Sequence, residues 1–315
     1  MSDTVRAARL HAHGKPLMVE TVELSDPADG EVRVTLQFGG VNPIDRYIAE
    51  GRVASDGPLP RTLGGEAAGT LDGTPVLVAG AGLGSARDGL WTQAANVPVD
   101  SVDPIPQGVA PDAAAAMGIA GLTALNCVRT LAGVGPDDRV LVLGASGGVG
   151  SMIVSLAAAA GATVWGQTGS EAKAAPIRDH GAQRVLIGGA EDLAQPLKEF
   201  EPTVALDPLG GEFVAPVIDA IAPRGRLVSY GVSAAPDVAF NMQQLYRKMV
   251  TLFGYGGMLL SADERRTGLQ AALSALAAGE LKVRIDEVLA LDEVGEAFAR
   301  LTERRVQGKL LLALA

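Results

Sequence analysis

The sequence predicts an α/β protein in which a doubly wound parallel sheet is inserted into a β-rich module. Three observations carry that expectation. Strand-like and helix-like stretches alternate from Arg139 onward. Short apolar runs broken by Gly, Pro and Asp fill the chain up to residue 115 or so. The stretch VLVLGASGGVG, at 140–150, runs from four apolar residues into a cluster of small ones.

The 315 residues are long for one core and sufficient for two, since domains usually run about 100 to 200 residues. Hydrophobic residues make up 48%, aromatics 4%, and there are 40 glycines, a mixture that suits tightly packed α/β layers rather than disorder. A net charge of −10 with no basic run argues against a nucleic-acid partner, because phosphate binding relies on clustered Lys and Arg. One cysteine, Cys127, excludes an internal disulfide and a Cys-rich zinc site. The start, MSDTVRAARLHAHGK, has no apolar core of signal-peptide length. The longest apolar stretch, Met152–Ala160, is about half of a membrane span and is expected as a buried helix. The cytoplasm, away from membranes, is the expected location.

In the first part, EVRVTLQF, TPVLVAG and VPVDSVDPIP alternate in hydrophobicity over short runs, as strands do. From Asp112, DAAAAMGIAGLTALNCVRTL reads as helices, capped by Asp112 after Pro111. The runs RVLVLG, SMIVSLAAAAG, TVWGQT, EAKAAPIRDHG, RVLIG, TVALDPLG, EFVAPVIDAI, GRLVSYG and VTLFGYG then give the rhythm of βαβ units. A helix over Ser261–Ala278, another over Leu291–Arg304 and the strand KLLLALA close the chain. The expected division is 1–118, 119–257 and 258–315, the last part returning to the first.

In GASGGVG, Ala145, Gly147 and Gly150 occupy the slots of a G-x-G-x-x-G fingerprint. Small residues there permit a tight turn, close approach of backbone to a pyrophosphate, and packing of helix on strand. The stretch Ala145, Ser146, Gly147, Gly148, Val149 and Gly150 is therefore the candidate dinucleotide cradle. A purely structural glycine turn is the plain alternative. An NAD site places Asp or Glu at the end of the next strand, for the ribose 2′-OH. This chain has Gln167-Thr168-Gly169-Ser170 and then Lys173. Two hydroxyls and an ammonium, Thr168, Ser170 and Lys173, suit a 2′-phosphate, so NADPH is the expected cofactor. Ser170 also reads as a helix cap and Lys173 as a solvated side chain.

Several stretches in one order, GVNPIDRYIAEG (40–51), GGEAAG (64–69), GIAGLTAL (118–125), VLVLGASGGVG, ALDPLGGEF (205–213), GRLVSYG (225–231) and QGKLLL (307–312), resemble the medium-chain dehydrogenase/reductase superfamily. The branch they resemble is that of the zinc-free quinone oxidoreductases. The resemblance implies a GroES-like catalytic domain built from both chain ends, and a Rossmann domain between them, with the nicotinamide in the cleft. Where the zinc branch places its ligands, this chain has Asn42, Gly65 and Ile119. No tetrahedral donor set is left, so no metal is expected, and His11-Ala12-His13 is a weak exception. Glu66, which the zinc branch shares, is expected to be structural. Without a Lewis acid, the feasible chemistry is hydride transfer to an electron-poor π system whose carbonyl spreads the charge.

The resemblance therefore implies an NADPH-dependent reductase acting on a small quinone or enone. Asn42, Tyr47 and Thr123 are the candidate catalytic and nicotinamide contacts, with Asp45 bracing the loop. Tyr230, Gly231, Phe253, Gly254 and Tyr255 fall where the family's later strands approach the cofactor. A family tyrosine beside the adenine ribose is missing from LIGGAE, with Arg178 or Arg184 as replacement. Trp91 is expected in a loop that shapes the substrate pocket. An enoyl-thioester reductase is one alternative; it lacks the branch's tyrosine near Val53 and has only Arg46, Arg52 and Arg61 for a phosphopantetheine. A non-catalytic NADPH-binding sensor is another. VTLFGYG (250–256) reads as an exposed edge strand that pairs with a second copy, giving a homodimer.

Overall fold

The computed structural model describes residues 3–53 and 57–315. Two compact units make up the chain. The first comprises Met1–Leu122, Leu260–Ala277 and Val283–Ala315, the second Thr123–Leu259 with Ala278–Lys282. Residues 119–122, expected with the nucleotide part, thus belong to the first unit, and 278–282 return to the second.

The second unit is built on a six-stranded sheet. Its strands lie in the order Arg184–Ile187, Thr163–Thr168, Arg139–Val142, Val204–Asp207, Arg226–Ser229 and Thr251–Gly254, every pair parallel. In chain order this is third, second, first, fourth, fifth, sixth, the Rossmann arrangement, with its switch point between the first strand and the fourth. Strands covered on both faces need apolar residues at every position; Val140, Leu141 and Val142 are all fully buried. Helix Gly148–Ala159 follows, buried from Gly150 to Ala157, which accounts for its apolar length. Among the described residues no helix is long and apolar enough to cross a membrane. Leu143, Leu197, Phe200, Val217 and Ile221 fill the core beside the sheet.

The first unit holds a seven-stranded sheet. Ile285–Ala290, Lys309–Ala313, Glu31–Val41, Glu66–Leu71, Thr74–Ala79 and Val102–Pro104 lie side by side, and Ala94–Pro98 also pairs with Glu31–Val41. The final strand runs antiparallel to Glu31–Val41, with Leu310 opposite Val41; the chain end is thereby sewn into the sheet that its beginning started. Asp72 and Gly73, with φ of 49° and 78°, turn the chain between Glu66–Leu71 and Thr74–Ala79, as a two-residue hairpin requires. A smaller sheet joins Met18–Leu24, Asp3–Leu10 and Arg61–Thr62.

Four local readings need correction. Asp112 is not a cap: helix Pro111–Ala114 begins after Ala110, and Asp112 accepts from the adjacent Ala113 N–H. Proline needs no donor at the first helical position, so the start lies before Pro111. The expected helices beyond it are an α turn at Leu122–Leu125 between π turns at Met117–Gly121 and Asn126–Leu131. Trp91 does not shape a pocket. It is fully buried in the core of the first unit, its indole N–H donating to the Gly40 carbonyl at 3.1 Å and its ring 5.7 Å from that of Phe298. The helix expected from Ser261 starts at Ala262, where Glu264 accepts from the Ser261 N–H and the Ser261 hydroxyl accepts from Glu264, a reciprocal cap.

Candidate active site

The glycine stretch turns as its composition requires. Gly144 has φ +58°, a left-handed conformation that favours glycine. A Cβ on Gly150 would run into the Gly144 carbonyl and come within 2.9 Å of the Ala145 Cα, whereas one on Gly147 would meet only the Gly144 oxygen at 3.4 Å. Gly150 is thus needed for packing, and Gly147 leaves open space for a ligand to approach. No side chain caps helix Gly148–Ala159 and no acid lies in its first turn, so its leading N–H groups, those of Gly148, Val149 and Gly150, suit a pyrophosphate. Gln167, which sequence reasoning passed over, braces this turn. Its Oε1 accepts from Gly144 N–H at 3.1 Å and its Nε2 donates to the Gly188 carbonyl at 2.8 Å.

At the end of the second strand the structure brings Thr168 and Ser146 together, hydroxyl to hydroxyl, at 3.2 Å. Ser170 precedes a short turn at Glu171–Lys173 and makes no side-chain cap, while its carbonyl accepts from the Lys173 N–H at 3.1 Å. Glu171 lies 3.9 Å from Arg178, and Asp192, just past the end of the adjacent strand, accepts from the Gly189 N–H at 3.0 Å. Arg184 stands over the Trp165 ring, which stacks on Phe200 at 4.0 Å. These residues fit a 2′-phosphate: hydroxyls and a lysine with each carboxylate drawn to another partner.

A second cluster gathers at the ends of the later strands. The Tyr255 hydroxyl is buried and faces Thr123 and Asn126; burial pushes its pKa up and hydrogen bonding with Thr123 works against that. The Tyr230 hydroxyl is buried with no hydrogen-bond partner among the described residues, and burial beside Cys127 and Asp207 keeps it protonated. Gly231 must be glycine, since a Cβ would come within 2.9 Å of the Pro208 carbonyl. Phe253 and Gly254 end the sixth strand. Cys127 is fully buried and its thiol is pushed up to about 12, which makes it inert.

In the first unit, Asn42 lies at the start of helix Pro43–Ala49 with only 4% of its surface exposed. Its Nδ2 donates to Glu66 Oε1 at 2.7 Å, and Lys309 Nζ donates to Asn42 Oδ1 at 2.7 Å and Glu66 Oε1 at 2.8 Å. Ile119 N–H donates to Glu66 Oε2 at 2.7 Å. Glycines make room for this group: a Cβ on Gly40 or Gly118 would strike Glu66. Asp45, also buried, accepts from Asn42 N–H at 2.8 Å; burial first, and the Glu66 charge after it, push its carboxyl up to about 7. Tyr47 stands apart from the cluster's hydrogen bonds, half-buried between the Arg46 and Arg52 guanidinium groups at 5.2 and 4.6 Å from its ring.

Lys309 is the residue that sequence reasoning missed. Its signal was a lysine opening an otherwise apolar final strand, since lysine is almost never buried without a partner. A zinc ion does not fit this group. Gly65 and Ile119 offer no donor side chain, and the Asn42 amide is already bonded to Glu66 and to an ammonium. Among the described residues no three His, Cys, Asp or Glu side chains cluster closely enough for a metal. His11 meets Glu20, and His13 meets the Ile48 carbonyl.

The family model described as zinc-binding dehydrogenase matches residues 148–274, a stretch that includes none of Asn42, Gly65 and Ile119. Quinone oxidoreductase of Salmonella typhimurium is 30% identical over 324 aligned positions, covering 96% of this chain and 97% of that protein. Among solved structures, AibC superposes with a TM-score of 0.90 at 26% identity, over 99% of this chain and 96% of the other. Bacillus subtilis yhfP with NAD bound superposes at 0.84 and 26%, over 99% and 100%. With its GroES-like and Rossmann parts, this chain is an oxidoreductase that belongs to the medium-chain dehydrogenase/reductase superfamily, in the quinone oxidoreductase-like branch.

Proposed function

We propose that the protein is a zinc-independent, NADPH-dependent reductase of small quinones or α,β-unsaturated carbonyls. The observation that carries this reading is the pairing of an uncapped glycine turn with a strand end that offers Thr168, Ser170 and Lys173 but no free acid. The donor set at Asn42, Gly65 and Ile119 supports metal-free chemistry. NADPH, when bound, supplies the hydride and leaves as NADP⁺, and a proton from water completes the two-electron reduction of the acceptor.

The chain's own groups bind and orient. N–H groups of Gly148, Val149 and Gly150 hold the pyrophosphate, while the Gly147 N–H closes the turn on the Gly144 carbonyl at 3.0 Å. Thr168, Ser170 and Lys173 hold the 2′-phosphate through charge-assisted bonds. Asn42 donates to an acceptor oxygen as it gains charge, and Thr123 and Tyr255 orient a polar edge within the second unit. The yhfP structure carries NAD, so cofactor choice is the sharpest test. Lys173→Ala is expected to weaken NADPH binding by about 1 to 3 kcal/mol and to leave NADH unchanged; equal losses would remove the 2′-phosphate assignment. Steady-state NADPH oxidation after exhaustive chelation, with a small quinone against a crotonyl thioester, tests the acceptor. The quinone is expected to turn over. Thioester turnover alone would make it an enoyl reductase, and binding without turnover a sensor.

A homodimer belongs to the same reading. Among the described residues the strand Thr251–Gly254 pairs on one side only, and Met242, Tyr246, Met249, Leu252 and Leu259 are exposed around it, Leu259 by 91%. Unpaired edges with apolar neighbours are normally covered, and a two-fold axis would join two such edges into one sheet.

A further inference from the structure

Asn42 begins helix Pro43–Ala49, and an asparagine there ordinarily accepts from the N–H groups of the first turn. This one does not. Asp45 makes its half of the reciprocal pair by accepting from the Asn42 N–H, but the Asn42 amide turns instead to Lys309 and Glu66. The third Lys309 donor goes to the Val41 carbonyl at 3.2 Å, so all three ammonium hydrogens are used. Lys309 and Glu66 are 3% and 0% exposed. A stabilising cap is forgone so that side chains from positions 42, 66 and 309 can meet. Local rules are broken in this way where a site demands it.

We propose that Lys309 is a positioning residue that fixes the orientation of the Asn42 amide, so that the second Nδ2 hydrogen is a polarised donor for a carbonyl oxygen of the acceptor. The amide cannot flip, since flipping would set its NH₂ against an ammonium and its oxygen against a carboxylate. An ammonium on Oδ1 draws electron density from the amide and strengthens Nδ2–H as a donor. Such a donor favours an oxygen that gains negative charge during hydride transfer over one that does not. The inference rests on the reading of Asn42 as an acceptor contact.

The test uses the full-length double variant Lys309→Met/Glu66→Gln, which removes both buried charges together, studied by crystallography and by single-turnover hydride transfer. The Asn42 side chain is expected to swing round and accept from the Asp45 N–H. The rate is expected to fall about 10- to 100-fold, the scale for a misplaced group, while the NADPH dissociation constant stays within about threefold, a shift below 1 kcal/mol. An Asn42 side chain left in place, or a rate left unchanged, overturns the assignment. Should the double variant not fold, Lys309→Arg keeps the charge without the three-point fit; the same displacement and a smaller rate loss are expected, and their absence overturns it. A wild-type protein inactive on quinones would defeat the acceptor reading alone, because the crystallographic arm still decides what Lys309 does.

Discussion

The glycine turn of the second unit and the polar cluster of the first solve recognition in opposite ways. The turn presents backbone N–H groups, carries no charged side chain of its own, and leaves empty space at Gly147. The cluster presents side chains, is full of charge, and leaves no space at all around Glu66. A backbone site depends on where a Cβ is absent, whereas a buried charged site depends on every partner being present. The two should therefore fail differently when altered.

The largest effect is expected in the cluster. Lys309→Met alone strands the Glu66 carboxylate in a buried place and should cost about 3 to 5 kcal/mol of stability, the usual range for breaking a buried pair. Denaturant melts would check it, and adding Glu66→Gln should recover most of the loss. In the turn, Gly150→Ala forces a methyl onto the Gly144 carbonyl and Ala145. Overpacking of this kind costs about 1 to 3 kcal/mol, and here it should abolish dinucleotide binding in a fluorescence titration well before it unfolds the chain. Loss of stability without loss of binding would count against the cradle.

A third prediction concerns pH. The Asp45 carboxyl titrates near 7 in the folded chain, against 3.8 as its ordinary value. Well below pH 3.8 both states are protonated and its effect on stability is nil. As pH rises toward 7 the unfolded state loses its proton first, so stability falls, by an amount on the order of 2 kcal/mol or more. Asp45→Asn keeps an acceptor for Asn42 and should flatten that slope in melts taken between pH 4 and pH 8. The smallest effect on the fold is expected at Leu252, 46% exposed on the edge strand. Leu252→Lys should leave the melting temperature of the isolated chain little changed, yet shift the mass from dimer to monomer by light scattering. An unmodified protein that is monomeric at micromolar concentration would remove the dimer altogether.

The contrast also explains what was readable in advance. The turn is local: strand, small residues and helix follow one another over 140–159, and their meaning survives without knowing what lies across the fold. The same holds for the strand rhythm that gave the parallel sheet. The cluster is assembled from four segments far apart in the chain, around Asn42, Glu66, Ile119 and Lys309, and its key residue sat in plain view in QGKLLL without a spacing to mark it. Asp112 and Trp91 misled for a related reason. A proline supplied the helix start that an aspartate seemed to offer, and a loop position proved to be core because the Gly40 carbonyl was waiting for its indole.

The burial of Trp91 has a practical side. The chain has two tryptophans, one in each unit: Trp91 sealed beside Phe298, and Trp165 sandwiched between Phe200 and the Arg184 guanidinium. Each unit thus carries its own optical reporter. With Trp165→Phe or Trp91→Phe in hand, emission from the remaining indole would follow the melting of one half of the protein at a time. Two coincident transitions would mean that the halves unfold as one, and two separate ones would show which half gives way first.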